Sequence, residues 1–226
     1  MCGRYSLSKD PRKDLEKWFP GIEFDPAYEF VPKEEIRPTN VCGVVTKMDG
    51  KWVWTGMRWG LIPLWSREEM PGTGQINARA ETVADKPSFR APFKRKRCVV
   101  PADAFYEWGI PPHEKRKRPH RLRNPKEEIL LMAGLWDEWE GAKGCLRTFT
   151  IITTEANESV RVLHDRMPVI FNPEISGVWL QDGFEKGEFL KRAMPDSQPP
   201  LVLEPANLPS AKKRADDGED LFSQKS

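Results

Sequence analysis

Paired cysteines are what this sequence most clearly lacks. Its four cysteines stand at positions 2, 42, 98 and 145, and no Cys-x-x-Cys occurs. Zinc sites usually draw on such pairs, because two ligands from one tight turn lower the entropy cost of assembling the site. The three histidines, His113, His120 and His164, do not make up the shortfall. No metal and no other cofactor is therefore expected. An apolar leader is missing too: the first residues are polar, without the hydrophobic core of a secretory signal. A disulfide framework is not expected, and the thiols read as reduced, in a cytoplasmic protein. No segment approaches the roughly 20 apolar residues of a membrane span. Excess charge is also scarce, with 36 Lys and Arg against 34 Asp and Glu. Bulk charge thus points to no nucleic-acid partner, and any such case rests on where the charges sit. There is no internal repeat and nothing that suggests an oligomer, so a monomer is expected.

Aromatic residues, by contrast, are plentiful. Nine tryptophans within 226 residues, 31% of them charged, describe a folded protein with a heavily charged surface. That length makes one domain the default. Positions 10–19 read as a short helix capped by Asp10, with Leu15, Trp18 and Phe19 on one face. Positions 24–40 are Pro-rich and read as irregular. Strands are expected at 41–46 and 52–59 around an Asp49-Gly50 turn, and again at 97–100, 104–108, 129–136, 149–153 and 169–171. Helices are expected at 155–163, 173–180 and 184–194, with a helical start over 80–89. Many short strands with a few helices predict an α+β domain: a curved, mostly antiparallel sheet or partial β-barrel with peripheral helices. The domain is expected over 2–205, with 206–226 a mobile C-terminal segment.

The chain starts Met-Cys-Gly-Arg. Removal of Met1, which a small second residue permits, would leave Cys2 with its α-amine and thiol on adjacent carbons. Such a 1,2-aminothiol is a reagent for aldehydes. The amine, with an ordinary pKa of about 7.7–8.0, is partly neutral at physiological pH and can form a Schiff base. The thiol then closes on the imine carbon to give a five-membered thiazolidine, favoured by its intramolecularity. An ordinary cysteine near a frayed terminus is the bland alternative.

Three further segments hold site chemistry. Residues 75–82, Gln-Ile-Asn-Ala-Arg-Ala-Glu-Thr, would set Asn77, Arg79 and Glu81 on one side of an extended segment. The same residues also suit a helix N-terminus with ordinary salt bridges. In 101–108, Glu107 lies within an aromatic strand. Burial would raise its pKa and fit it for general acid/base work, whereas an edge strand would turn it to water. His164, beside Asp165 and Arg166, suits a proton shuttle near neutral pH or a structural role. Basic runs at 94–97 and 115–123, with Trp59, Trp65 and Trp108, offer charges for phosphates and rings for bases. The run at 115–123 equally suits a solvated hairpin tip, and Trp65, on a Pro-flanked loop, is the better stacking candidate.

Taken in order, MCGRYS at the start, RWGLIPLW at 58–65, INARAET at 76–82, RCVVPADAFYEW at 97–108 and LHDRMPVI at 163–170 closely resemble the SRAP family. The family was named for SOS-response-associated peptidases and is understood as abasic-site processing proteins. The resemblance implies a single α+β domain that crosslinks to abasic sites in single-stranded DNA through a thiazolidine on Cys2, shielding the lesion during replication. By this likeness Asn77 positions the cysteine and the sugar. Glu107 assists ring opening and proton transfer, and His164 acts at the Schiff-base stage. Arg4, Arg79 and Arg166 are the implied phosphate contacts, and Pro38 and Trp65 the apolar groups set against unstacked bases. Positions 36–40, Ile-Arg-Pro-Thr-Asn, depart from the commoner Asn-x-Ala-Pro pattern of the family. A thiol (auto)peptidase built on Cys2, His164 and Glu107, a plain abasic-site lyase and a non-covalent single-strand binding module are the alternatives.

Overall fold

Two sheets that share one core set the geometry. The computed structural model describes residues 2–67, 72–112, 115–141 and 144–208. In chain order the first elements are β1 (Tyr5–Leu7), α1 (Arg12–Trp18), β2 (Glu23–Phe24), β3 (Lys33–Ile36), β4 (Val41–Met48), β5 (Lys51–Trp59) and β6 (Asn77–Arg79). Then come α2 (Pro87–Arg95), β7 (Arg97–Ala102), β8 (Ala104–Gly109), β9 (Arg118–Arg123), β10 (Leu130–Gly141) and β11 (Gly144–Glu155). The last are α3 (Glu158–Arg161), β12 (Arg166–Pro168), β13 (Ile170–Phe171), α4 (Pro173–Trp179), α5 (Lys186–Ala193), a short 3-10 turn and β14 (Val202–Pro205).

Strands β11, β10, β7, β4 and β5 lie side by side, and a parallel pairing of β11 with β5, Thr148↔Arg58 and Phe149↔Trp59, closes them into a five-stranded barrel. The β4–β5 hairpin turns at Asp49 and Gly50, both at positive φ (49° and 81°). That geometry matches the twist of the flanking strands, and Asp-Gly tolerates it. Alternation along the strands fills two buried faces. Val44, Cys98, Val100 and Ile151 point into the barrel, while Val45, Val99 and Ile152 point out, beneath a second apolar layer. The helices supply that layer through Leu15, Phe93, Trp179 and Phe189. Burial on both faces explains why β7 reads as an unbroken buried run.

The second sheet has the order β14-β9-β8-β1-β3 and shares the barrel's core, to which it adds Tyr5, Leu7, Ile36, Phe105 and Leu122. The α+β partial barrel expected from the sequence is thus what the chain forms.

Several local expectations are corrected. The stretch 24–40 contains β3, which pairs with β1; its Lys33-Glu34-Glu35 sequence hides an edge strand among polar residues. No helix begins at 80: Ala80 donates its N–H to Thr153 O at 2.8 Å, and the helix starts only at Pro87. Proline favours the first helical position and keeps its predecessor extended. The helix expected over 155–163 is a single turn, Glu158–Arg161. The basic run at 115–123 is not merely a hairpin tip, because 118–123 form β9, paired with both β8 and β14. His113 and residues 209–226 lie outside the described residues.

Candidate active site

Placement of Cys2 begins with β1. Its register with β8, Tyr5↔Phe105 and Ser6↔Ala104, continues through a hydrogen bond from Tyr106 N to Arg4 O at 2.9 Å. Asp103 fastens the other end, accepting from Ser8 Oγ at 2.7 Å and donating its own N–H to Ser6 O at 2.8 Å. Extended by two residues, this register brings Cys2 and Gly3 alongside Glu107 and Trp108. Cys2 is fully buried there. The arrangement is not that of a frayed terminus.

Asn77 reaches Cys2 from the other sheet. The parallel pairing of β6 with β11 sets Asn77 beside Ile151, and Trp59 Nε1 donates to Ile76 O at 2.9 Å, fixing the approach. Asn77 Nδ2 then donates to the Cys2 carbonyl at 2.8 Å. Its other atom, Oδ1, is buried with no hydrogen-bond partner among the described residues. A buried acceptor left so costs about 1–3 kcal/mol, and it leaves Asn77 one free hydrogen-bonding position next to Cys2. The helix-start reading of this segment does not hold. Glu81 has left the strand for the following turn.

Glu107 occupies β8 between β1 and β9, an interior strand, so the edge-strand alternative also fails. Strand alternation turns it to the same face as Phe105, toward the core. Its carboxyl is raised above the ordinary range by burial, with the nearby His164 acting in the opposite direction. The Cys2 thiol is pushed well above its usual value, first by burial and then by the Glu107 carboxylate. The two groups therefore feel one another directly.

His164 follows α3, whose cap Asn157 accepts from Val160 N. Gly109 ends β8 where the chain passes this segment. A Cβ there would lie 2.6 Å from Leu163 O, so only glycine allows residues 163–164 to close on the end of the strand. His164 Nδ1 makes two contacts at 2.9 Å that demand opposite roles: Arg166 N–H donates to it, and Asp165 Oδ1 would have to accept from it. The Asp165 side chain is 87% exposed and free to turn to water, whereas the Arg166 amide is held in the chain. Nδ1 accordingly acts as acceptor toward the Arg166 amide.

The expected phosphate contacts and apolar groups differ in their partners and exposure. The Arg4 guanidinium lies 4.8 Å from the centre of the Trp108 ring and is paired with Glu35. Arg166 is gripped by both Glu81 oxygens, at 2.7 and 3.0 Å, and donates to Thr153 O at 2.6 Å. Burial alone would raise the Glu81 carboxyl, but the Arg166 hydrogen bonds, a backbone N–H and the charges of Arg166 and Arg79 together outweigh it and hold the group low. Arg79 is exposed at the end of β6. Trp65 is 67% exposed on a loop pinned by Leu64 N to Asp137 Oδ2 at 3.1 Å and Trp139 Nε1 to Ser66 O at 2.9 Å. Pro38 is half-buried in a turn at which Thr39 adopts φ 78°. Trp59 is no platform for bases; it lies fully buried against Tyr5 and Phe149. Glu35 and Arg37 were not singled out from the sequence, although a carboxylate between Lys33 and Arg37 on the Pro38 segment was the available signal.

The sequence matches the family described as SOS response associated peptidase (SRAP) over residues 1–205. The chain belongs to the SRAP family. Its curated SRAP relatives include the abasic site processing protein YoaM of Bacillus subtilis, 39% identical over 197 residues that make up 84% of each chain. The abasic site processing protein HMCES of Gallus gallus is 33% identical over 211 residues, covering 76% of this chain and 62% of that protein. The SRAP fold is seen again in a crystal structure from Bacteroides thetaiotaomicron, with a TM-score of 0.74 at 28% identity, covering 89% of this chain and 90% of that one. Among the described residues, no helix is long and apolar enough to cross a membrane, and no group of three or more His, Cys, Asp or Glu is arranged to hold a metal ion.

Proposed function

We propose that this protein processes abasic sites by trapping the open-chain sugar of the lesion, in single-stranded DNA, as a thiazolidine on Cys2. The observation that carries the reading is the buried Asn77 Oδ1, without a hydrogen-bond partner among the described residues, beside a Cys2 whose carbonyl the same side chain already holds. An acceptor in that position suits an N–H of the Cys2 amine or a sugar hydroxyl.

The reactive form has lost Met1. Glu107 and His164 first assist proton transfer as the sugar ring opens to its aldehyde. The Cys2 amine adds to the carbonyl carbon, and the carbinolamine oxygen leaves as water once protonated, giving the imine. The thiol sulfur then bonds to the imine carbon, and its proton passes to the nitrogen with Glu107 as relay. Aldehyde and aminothiol have become thiazolidine and one water. The amine acts first because the buried thiol holds its proton so firmly, whereas an α-amine is partly neutral near pH 8.

The same burial speaks against a thiol peptidase on these residues. That chemistry needs a thiolate, normally obtained by lowering the thiol pKa, and here both burial and Glu107 raise it. Arg4, Arg79 and Arg166 would follow the phosphates, and Trp65 and Pro38 would meet the bases. The test is to incubate the processed protein with a single-stranded oligonucleotide carrying one abasic site, then heat in denaturant. A heat-stable adduct is expected, and none when an extra residue is retained before Cys2. Strand scission without an adduct, or an adduct despite a blocked amine, would overturn the reading.

A further inference from the structure

Glu35 uses its two carboxylate oxygens on two different arginines. Oε1 pairs with Arg4 Nη1, and Oε2 accepts from Arg37 Nη2 at 2.7 Å. The antiparallel pairing of β1 with β3, Tyr5↔Ile36, is what brings Arg4 and Arg37 together at the end of the ladder. Both arginines are oriented by more than the carboxylate. Arg4 lies over the Trp108 ring. The Arg37 backbone is held in a turn where its N–H donates to Asn40 Oδ1 at 2.9 Å and Thr39 N–H donates to Trp59 O at 2.8 Å. The Glu35 and Arg4 side chains are each only 14% exposed, while Arg37, next to Pro38, is 42% exposed. Two converging guanidiniums that share a single carboxylate present the donor geometry that also binds a phosphodiester.

The geometry points to Glu35 as an internal stand-in for a DNA phosphate, with Arg37 as a further phosphate-binding residue and strand binding proceeding by exchange of one anion for the other. This rests on the single-strand reading above and deepens it. The exchange is neutral in charge: the backbone phosphate takes the two guanidiniums, and the carboxylate turns to water. Its consequence is a weaker reversible hold on any strand than the arginines alone would give. A protein that retains its target by a covalent bond loses little by this, and gains quick release from undamaged DNA.

The experiment measures reversible binding to an undamaged oligothymidylate across a salt series, with the abasic-site crosslinking assay run in parallel. Glu35→Gln keeps the shape and removes the charge. It should bind about three- to tenfold tighter, and its slope of log affinity against log salt should steepen by about 0.7, one extra phosphate contact on a single strand. Arg37→Gln should weaken binding and flatten the slope, and its loss should be larger when made together with Glu35→Gln. If Glu35→Gln binds more weakly, the carboxylate is only a bracket that holds the arginines, and the inference is wrong. Arg37→Gln with an unchanged slope overturns it independently, whatever becomes of the Glu35 variant. If the wild type neither binds the strand nor crosslinks, the underlying reading fails and this one with it. If it does both while the two variants behave like wild type, the anion exchange and the Arg37 contact are wrong and the single-strand reading stands.

Discussion

Cys2 and Cys98 are both fully buried thiols and belong to one apolar core, yet their surroundings differ. Cys98 packs within the barrel. Its sulfur would lie 2.8 Å from a Cβ on Gly134, with Val100 beside it, and its thiol is raised by burial alone. Around Cys2 the same depth of burial is shared with Asn77 and Glu107, and the Glu107 carboxylate adds to the rise of the thiol. Burial by itself makes a cysteine an inert packing unit. What distinguishes a candidate site is burial together with groups that can accept, donate or hold protons, held there at a cost to stability.

Substituting each thiol breaks the comparison most directly. Cys2→Ala should abolish the heat-stable adduct with an abasic oligonucleotide. Cys98→Ala should leave the adduct intact and lower stability by about 1–2 kcal/mol through the small cavity it opens, read as a drop in thermal midpoint. Equal crosslinking losses in both variants would mean that the core, and not its polar corner, governs the chemistry.

Glu107→Gln comes next, and should slow adduct formation by about a hundredfold or more. It also carries a pH signature with a definite sign. Burial raises the Glu107 carboxyl, so the folded protein keeps this proton at pH values where the unfolded chain has released it. Wild-type stability from this group therefore falls as pH rises from the ordinary glutamate value of about 4.3 through the higher folded value. The Gln variant should be more stable than wild type at pH 7 and should lose that advantage below about pH 4. Denaturation midpoints at several pH values would show it, and a constant difference would rule the buried carboxyl out as its source.

Asn77→Ala is the smallest of the three. Losing one hydrogen bond to the Cys2 carbonyl, worth about 1 kcal/mol, should slow crosslinking by roughly tenfold. Binding to an undamaged strand tests its separateness: a comparable loss there would make Asn77 a strand contact and not a positioner of Cys2.

Local signals identified much of the architecture. The Asp49-Gly50 turn, the strands on either side of it and the helix at 173–180 were all readable, because each depends on neighbours in sequence. The misreadings have local causes as well. Lys33-Glu34-Glu35 disguised β3, Pro87 was overlooked as a helix start, and 118–123 read as a tip because Arg118, Arg121 and Arg123 mask a strand. Among the site residues, Cys2, Asn77, Glu107 and His164 each emerged from the sequence with a plain structural alternative beside it. For Asn77 and Glu107 the local structure, extended and interior to a sheet, was set by pairing across long distances, β6 on β11 and β8 between β1 and β9.

By itself, then, the sequence determined the kinds of group available: a cysteine that follows Met1, an amide, a carboxylate within an aromatic strand, a histidine after a short helix, and five ordered motifs that resemble one family. Only the tertiary structure decided that the carboxylate is buried, that the amide's oxygen has no partner among the described residues, and that Glu35 bridges two arginines. The reason is physical. Residue chemistry is local, whereas burial, register and the pairing of charges are set by which distant strands close the barrel and which share its core.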